Sequence, residues 1–258
     1  MLIKSLVAKH INSTYTAITE ATMRRFGLIS EIDQSKLDTW EDKIFLTFDI
    51  DWAPDEIIQD VLELTQPYNV RATWFFTHAS PVITMLKDAG HEVGIHPNFN
   101  PLLLGNSKFT AAEIIERCFE WSGDATAARS HSLVYGSPIS QLFSNFGISH
   151  SSNFSIPSQS EIVLKPWRNT SGIIEVPYSW ADEWSWSEVD QESVTSWASH
   201  VGLLVADFHP IHIYLNSTSS AVYEETRQHH QNPSQPYKSR ELGLGTRTEL
   251  IRLCEMLS

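Results

Sequence analysis

Cysteine is nearly absent from this chain: Cys118 and Cys254 are the only two in 258 residues, and they lie far from each other and from any CxxC spacing. A disulfide framework is excluded, and both read as reduced core thiols inside helical patterns. Cations are also scarce, with 18 Lys and Arg against 31 acidic residues and a formal charge of −13. Nucleic acids and anionic membrane surfaces reward clustered Lys and Arg, so neither is an expected partner. The acidic residues are spread along the sequence and read as a solvated surface. No apolar run approaches the roughly 18–20 residues of a membrane span, so membrane insertion is not expected. The stretch from Met1 to Asn12 has neither a sustained apolar segment nor a small-residue cleavage site, and a cytoplasmic location follows as the expectation. The chain shows no internal repeat, no linker and no sign of an oligomeric state.

Aromatic residues are plentiful: nine Trp, twelve Phe and seven Tyr. They suit a sugar- or ring-binding cleft as well as a core. The length fits one α/β barrel-sized domain covering 1–258, with residues 1–40 a helical lead-in and 44–257 the barrel. Apolar runs at 44–48, 72–77, 92–96, 127–131, 148–152, 173–177 and 203–209 read as strands. Helical spacing follows at 57–64, 82–86 and 110–121, and again from 246 to 257. Thr110-Ala111-Ala112-Glu113 and Thr246-Arg247-Thr248-Glu249 both match the capping box. The Gln- and Pro-rich segment 228–238 reads as a loop. Strand–helix alternation of this kind points to parallel α/β architecture.

Four strand ends carry chemistry. Thr47-Phe48-Asp49-Ile50-Asp51 sets two carboxylates where a buried strand gives way to a helix. Gly94-Ile95-His96, Arg129-Ser130-His131 and Phe208-His209 are the others. In α/β sheets and barrels such turns face the ligand-binding edge. Asp, His and Arg gathered there suggest a hydrolytic site with a metal.

In order and spacing these motifs resemble the NodB-type polysaccharide deacetylases of carbohydrate esterase family four. Gly-Ile-His-Pro-Asn-Phe-Asn, Arg-Ser-His and Phe-His-Pro-Ile-His-Ile-Tyr resemble, more narrowly, a WbmS-like branch associated with bacterial surface (lipo)polysaccharide synthesis. The resemblance covers roughly 44–257 and implies a distorted, incomplete (β/α) barrel. It implies Asp49 as general base, Asp51 as metal ligand, His96 as the first metal histidine, Arg129 as the brace of the base and His209 as general acid. Residues i and i+2 of a strand share a face, which would let Asp49 and Asp51 reach one ion. Asn100 stands where the family has its second metal histidine. Either Asn100 or His131 would complete the shell, and His131 could instead serve substrate or packing. Asp182 is matched to the aspartate that orients the acid. His78, Asp182, Trp184 and His212 are candidate substrate contacts, with packing or rim roles as the alternative for His78, Trp184 and His212. His91 reads as structural.

The implied activity is metal-dependent removal of an N-acyl group, an N-acetyl above all, from an amino sugar in a glycan precursor. Zinc fits nitrogen and carboxylate ligands best among divalent ions. Two other readings stay open: a metal-free amidohydrolase acting on a non-sugar C–N bond, and a glycan-binding barrel without catalysis.

Overall fold

The computed structural model describes residues 24–186, 192–227 and 240–258. The lead-in up to residue 23, with His10, and the 228–238 segment, with His229 and His230, lie outside the described residues. The strands are β1 (Arg25–Phe26), β2 (Lys43–Asp49), β3 (Ala72–Phe76), β4 (Glu92–Ile95) and β5 (Ala127–Ala128), then β6 (His150–Ser151), β7 (Trp167–Arg168), β8 (Ile174–Glu175), β9 (Trp180–Ala181) and β10 (Leu204–Phe208). They form one sheet in the order β7-β8-β6-β5-β4-β3-β2-β10-β9, with β1 alongside β2. Every pairing is parallel except β7 with β8. One extended segment, 174–181, pairs with β6 at its start and with β10 at its end. The sheet therefore curls until its two sides meet on that segment, as a distorted, incomplete (β/α) barrel.

Alternation along the central strands separates two cores. Ile44, Leu46, Phe48, Trp74, Phe76, Leu204, Ala206 and Phe208 point outward and pack under the helices Asp55–Thr65, Pro210–Leu215 and Thr246–Leu257. Phe45, Phe75, Leu203 and Val205 point inward and join a second cluster. Both faces are thus buried, as parallel sheets require, and the strands read as unbroken apolar runs. Where a helical lead-in is expected, residues 24–40 instead form β1 and two 3-10 turns, Ile29–Glu31 and Leu37–Thr39. Ile29, Ile32 and Trp40 enter the inner cluster and close one end of the barrel. The Ile29 N–H donates to inward-facing Thr73 at 3.1 Å, and His150 Nε2 meets the Ile32 carbonyl at 2.9 Å.

The first capping box forms: Thr110 Oγ1 accepts from the Glu113 N–H, and Glu113 accepts from the Thr110 N–H. The second does not. Helix Thr246–Leu257 starts after Gly245, Thr246 Oγ1 donates to the Ser217 carbonyl, and Glu249 accepts from the Val194 N–H. Tertiary contacts have taken both side chains. Helix Ser137–Asn145, not anticipated from the sequence, lies between β5 and β6. His91 is neutral: it accepts from the Ala72 N–H at 3.2 Å, and burial pushes its pKa down to about 4.

Gly94 in β4 is required by close approach. A Cβ there would sit 2.7 Å from the Phe75 ring and 2.8 Å from the Ala127 carbonyl oxygen. Phe75 in turn covers the Arg129 guanidinium, 4.8 Å from the ring centre. Gly94→Ala should overpack this wall and lower stability by about 1–3 kcal/mol, read as a fall in the denaturation midpoint.

Candidate active site

Register brings the functional groups to one rim. Phe48 pairs with Phe208, so Asp49 and His209 leave adjacent strands side by side. Phe76 pairs with Ile95, and Ile95 with Ala128, which sets His96 next to Arg129. All lie at the C-terminal strand ends around a cavity of about 290 Å³. Its lining includes Asp49, Asp51, His96, Ser130, His131, Tyr178, Glu183, Asp207 and His209.

Asp49 is buried, and its Oδ1 accepts from Arg129 Nη1 at 2.9 Å. Arg129 is wholly buried; the same Nη1 also donates to Asp207 Oδ1, while Nε and Nη2 donate to the carbonyl and hydroxyl of Ser152. The Phe75 and Tyr178 rings cover its two sides at 4.8 and 4.7 Å. Oδ1 of Asp49 is therefore fixed, and Oδ2 lies on the cavity side, 3.7 Å from His96 Nε2.

Asp51 reaches the same space by a different route from strand alternation. β2 ends at Asp49, and Asp51 adopts a left-handed conformation with φ 45°, a strained state for a residue other than glycine. Thr77 Oγ1 donates to the Asp51 carbonyl and pins the turn. Asp51 Oδ1 lies 3.0 Å from His131 Nδ1 and 3.5 Å from His96 Nε2. Burial would raise its pKa, but hydrogen bonds from His131 and His96 and the field of His209 hold it far below the usual carboxylate range.

His96 is 2% exposed, and its Nδ1 has no hydrogen-bond partner among the described residues. Its polar contacts run through Nε2 toward the two carboxylates. One donor atom each from Asp51, His96 and His131 lie within 4.8 Å of one another. Two imidazole nitrogens and a carboxylate oxygen are a donor set that zinc takes, so these residues fit a divalent ion. Asn100 is not part of the cavity lining; its side-chain amide donates to Ser132 Oγ at 3.1 Å.

His209 is held twice by the fully buried Asp182, whose carboxylate accepts from the His209 N–H at 2.8 Å and lies 3.0 Å from Nδ1. Burial would lower the His209 pKa, but the charge and hydrogen bond of Asp182 outweigh it and hold the value well above that of an ordinary histidine. Asp207, absent from the sequence reading, is the further group. Burial pushes it up to about 7, Arg129 opposes and Asp49 adds to the rise. Donor atoms of Asp49, Asp207 and His209 lie within 4.8 Å of one another. The signal available in sequence was an aspartate inside the apolar run Leu203–Phe208, two residues before His209 and hence on its face.

Other candidates sit further out. Trp184 stacks on Tyr178 at 5.5 Å, and His78 Nδ1 lies 2.8 Å from Thr77 Oγ1. His212 is buried, with ring contacts to Trp186, His209 and Tyr223. None of these three belongs to the cavity lining.

Carboxylates, a braced arginine and an oriented histidine at the mouth of an incomplete (β/α) barrel define a hydrolase of the polysaccharide deacetylase class. The family model for WbmS-like polysaccharide deacetylases matches residues 46–227, and the chain belongs to that family, whose members hydrolyse carbon–nitrogen bonds. Among solved structures it is similar to WbmS of Bordetella bronchiseptica, described as a polysaccharide deacetylase involved in O-antigen biosynthesis. The two share 37% identity over 90% of this chain and 97% of that one, with a TM-score of 0.81. A protein from Mycobacterium smegmatis, described as a polysaccharide deacetylase, is 20% identical over 65% of this chain and 77% of that chain, with a TM-score of 0.47. A family 4 carbohydrate esterase from Streptomyces lividans in complex with acetate is 14% identical over 83% of this chain and 88% of that chain, with a TM-score of 0.46. No curated protein sequence matches the chain. Among the described residues no helix is long and apolar enough to cross a membrane.

Because folded His209 holds its proton more tightly than unfolded histidine does, its pairing with Asp182 stabilises the fold fully below about pH 6.5. That contribution fades as pH rises through the raised value. Asp182→Asn removes the largest influence that raises it, so the His209 ring should titrate at lower pH than in wild type, as followed by its ring-proton NMR shift.

Proposed function

We propose that this chain is a single-domain, metal-dependent deacetylase that removes an N-acetyl group from an amino sugar, acting in the cytoplasm on a precursor of a bacterial surface polysaccharide. One observation carries the reading: Asp49 braced by Arg129 and His209 held by Asp182 line the same cavity as the Asp51–His96–His131 cluster. The 37% identity to a WbmS involved in O-antigen biosynthesis supports the choice of pathway.

In this reading Asp51, His96 and His131 hold a divalent ion, best zinc, which when bound supplies Lewis-acid polarisation of the amide carbonyl and of water. Asp49 is the general base. Arg129 holds its carboxylate turned, so Oδ2 can take the proton of the attacking water. As the C–N bond breaks, His209 gives its Nε2 proton to the departing amine, which would otherwise be a poor leaving group. Asp182 fixes Nδ1 as the other protonated nitrogen and so fixes which proton moves. Tyr178 and Glu183 border the space left for the sugar.

Metal content tests the shell. Asp51→Ala and His96→Ala should lose stoichiometric metal by elemental analysis while keeping their circular dichroism. His131→Ala should weaken metal affinity far more than Asn100→Ala; the reverse ranking would return the third position to Asn100. No metal in wild-type protein would favour the metal-free amidohydrolase.

Kinetics tests the chemistry. Asp49→Asn and His209→Ala should each lower kcat by about 10²–10⁴-fold in an acetate-release assay, with KM little changed, because base and acid act mainly in the transition state. Turnover of both variants at the wild-type rate would remove the assignment. Glycan binding by wild type without acyl release, with any metal supplied, would instead indicate a binding barrel.

A further inference from the structure

A second cavity, of about 480 Å³, adjoins the first and shares His96 with it. Trp52 and Thr77 stand on its near side, and the Trp52 ring edge meets His131 at 4.9 Å. Its far side is built by the segment after helix Asn100–Leu103 and by helix Ala111–Ser122, which contribute Lys108, Phe109, Arg117 and Trp121. Neither Lys108 nor Arg117 takes part in the site described above.

Charge makes this wall unusual. The chain carries −13, and its described cations are almost all engaged with an acidic partner or a backbone carbonyl. Among the described residues only Lys108, Arg117 and Lys165 lack both, and two of those three line this one cavity. The Arg117 guanidinium lies 4.5 Å over the Phe109 ring, which fixes its plane and leaves its N–H groups unspent. An uncompensated planar fork and a point charge lining one cavity match a phosphate, which the rest of this acidic surface would repel. The volume exceeds what a phosphate fills, and Trp52 and Trp121 give the same cavity aromatic lining.

We infer that the second cavity is an anion subsite for a phosphate joined to the acetamido sugar, making a phosphorylated or diphosphate-linked sugar the substrate class rather than a neutral oligosaccharide. Its placement beside the reacting amide rests on the deacetylase reading; phosphate binding itself does not.

Calorimetric titration of metal-loaded protein with N-acetylglucosamine 1-phosphate, UDP and the neutral methyl glycoside of N-acetylglucosamine tests it. The phosphorylated compounds should bind tighter than the neutral glycoside, and added salt should weaken them. Arg117→Gln combined with Lys108→Gln, both at exposed positions, should keep the wild-type melting temperature yet bind the phosphorylated compounds about 10-fold or more weakly. In acetate release the double variant should raise KM for N-acetylglucosamine 1-phosphate more than for the methyl glycoside while kcat holds. UDP binding tighter than geranyl diphosphate assigns the phosphate to a nucleotide, and the reverse order assigns it to a lipid carrier. Equal affinity for charged and neutral compounds, wild-type binding by the double variant, or glucuronate binding tighter than any phosphate would overturn the inference. Phosphate binding lost in the double variant, in a protein that releases no acetate, upholds the subsite and removes the deacetylase reading instead.

Discussion

Arg129 is the interaction on which the interior depends. A guanidinium with no solvent exposure is costly to bury, and it persists only when every donor is answered. Here it is answered from three strands or their ends. Asp49 lies on β2, Asp207 on β10 and Ser152 just past β6, while Arg129 itself follows β5. Two aromatic rings close the remaining sides. Losing either carboxylate would leave a buried charge only partly compensated, so barrel closure and the orientation of Asp49 are one constraint. Its consequence reaches Asp207. Burial pushes Asp207 up to about 7; the charge of Arg129 limits that rise and the neighbouring Asp49 adds to it.

The same barrel interior is graded along its axis. At the closed end Ile29, Ile32, Trp40, Phe45 and Leu203 make an apolar plug. Further along β2 and β10 the inward positions turn polar, with Thr47 and Asp49 on β2 and Asp207, two residues before His209, on β10. Thr47 Oγ1 bridges the two strands, lying 2.9 Å from the Ala206 carbonyl oxygen and 3.2 Å from Asp207 Oδ1. The plug keeps water from entering behind the charged layer, which strengthens each electrostatic contact at the rim. Outward residues of the same strands carry the packing against helices, so catalysis and stability use opposite faces of one run.

Much of this was legible in the sequence. Strands β2, β3, β4 and β10 announced themselves as apolar runs, and polar residues at their ends marked the rim. What failed did so for physical reasons. Asp207 was absorbed into an apolar run, because a single acid in a buried strand looks like noise until a buried arginine is known to face it. The shared side of Asp49 and Asp51 was anticipated from strand period, but a left-handed turn produces it, and φ leaves no mark in residue spacing when the residue is Asp. Two-residue strands such as β9 carry no periodicity and exist only through their neighbours. Ile29 and Ile32 have helical spacing, yet the demand for a plug bent that segment into 3-10 turns.

Asn100 shows how a departed motif position can keep a task. The segment Pro97–Asn100 is stitched to the turn that begins at His131: the His131 N–H donates to the Pro97 carbonyl at 3.0 Å, and the Asn100 amide donates to Ser132 Oγ at 3.1 Å. Asn98 caps the arrangement by accepting from the Asn100 N–H at 3.0 Å. Ser132 and Leu133 both adopt left-handed conformations, which such a turn holds only if neighbouring structure restrains it. In the proposed shell, then, an imidazole on the turn after β5 acts where the family uses one on the loop after β4. Asn100, on that loop, braces the strained turn that carries His131. Moving a ligand between loops leaves the donor chemistry unchanged, because the ion responds to the position of a nitrogen and not to the strand that delivers it.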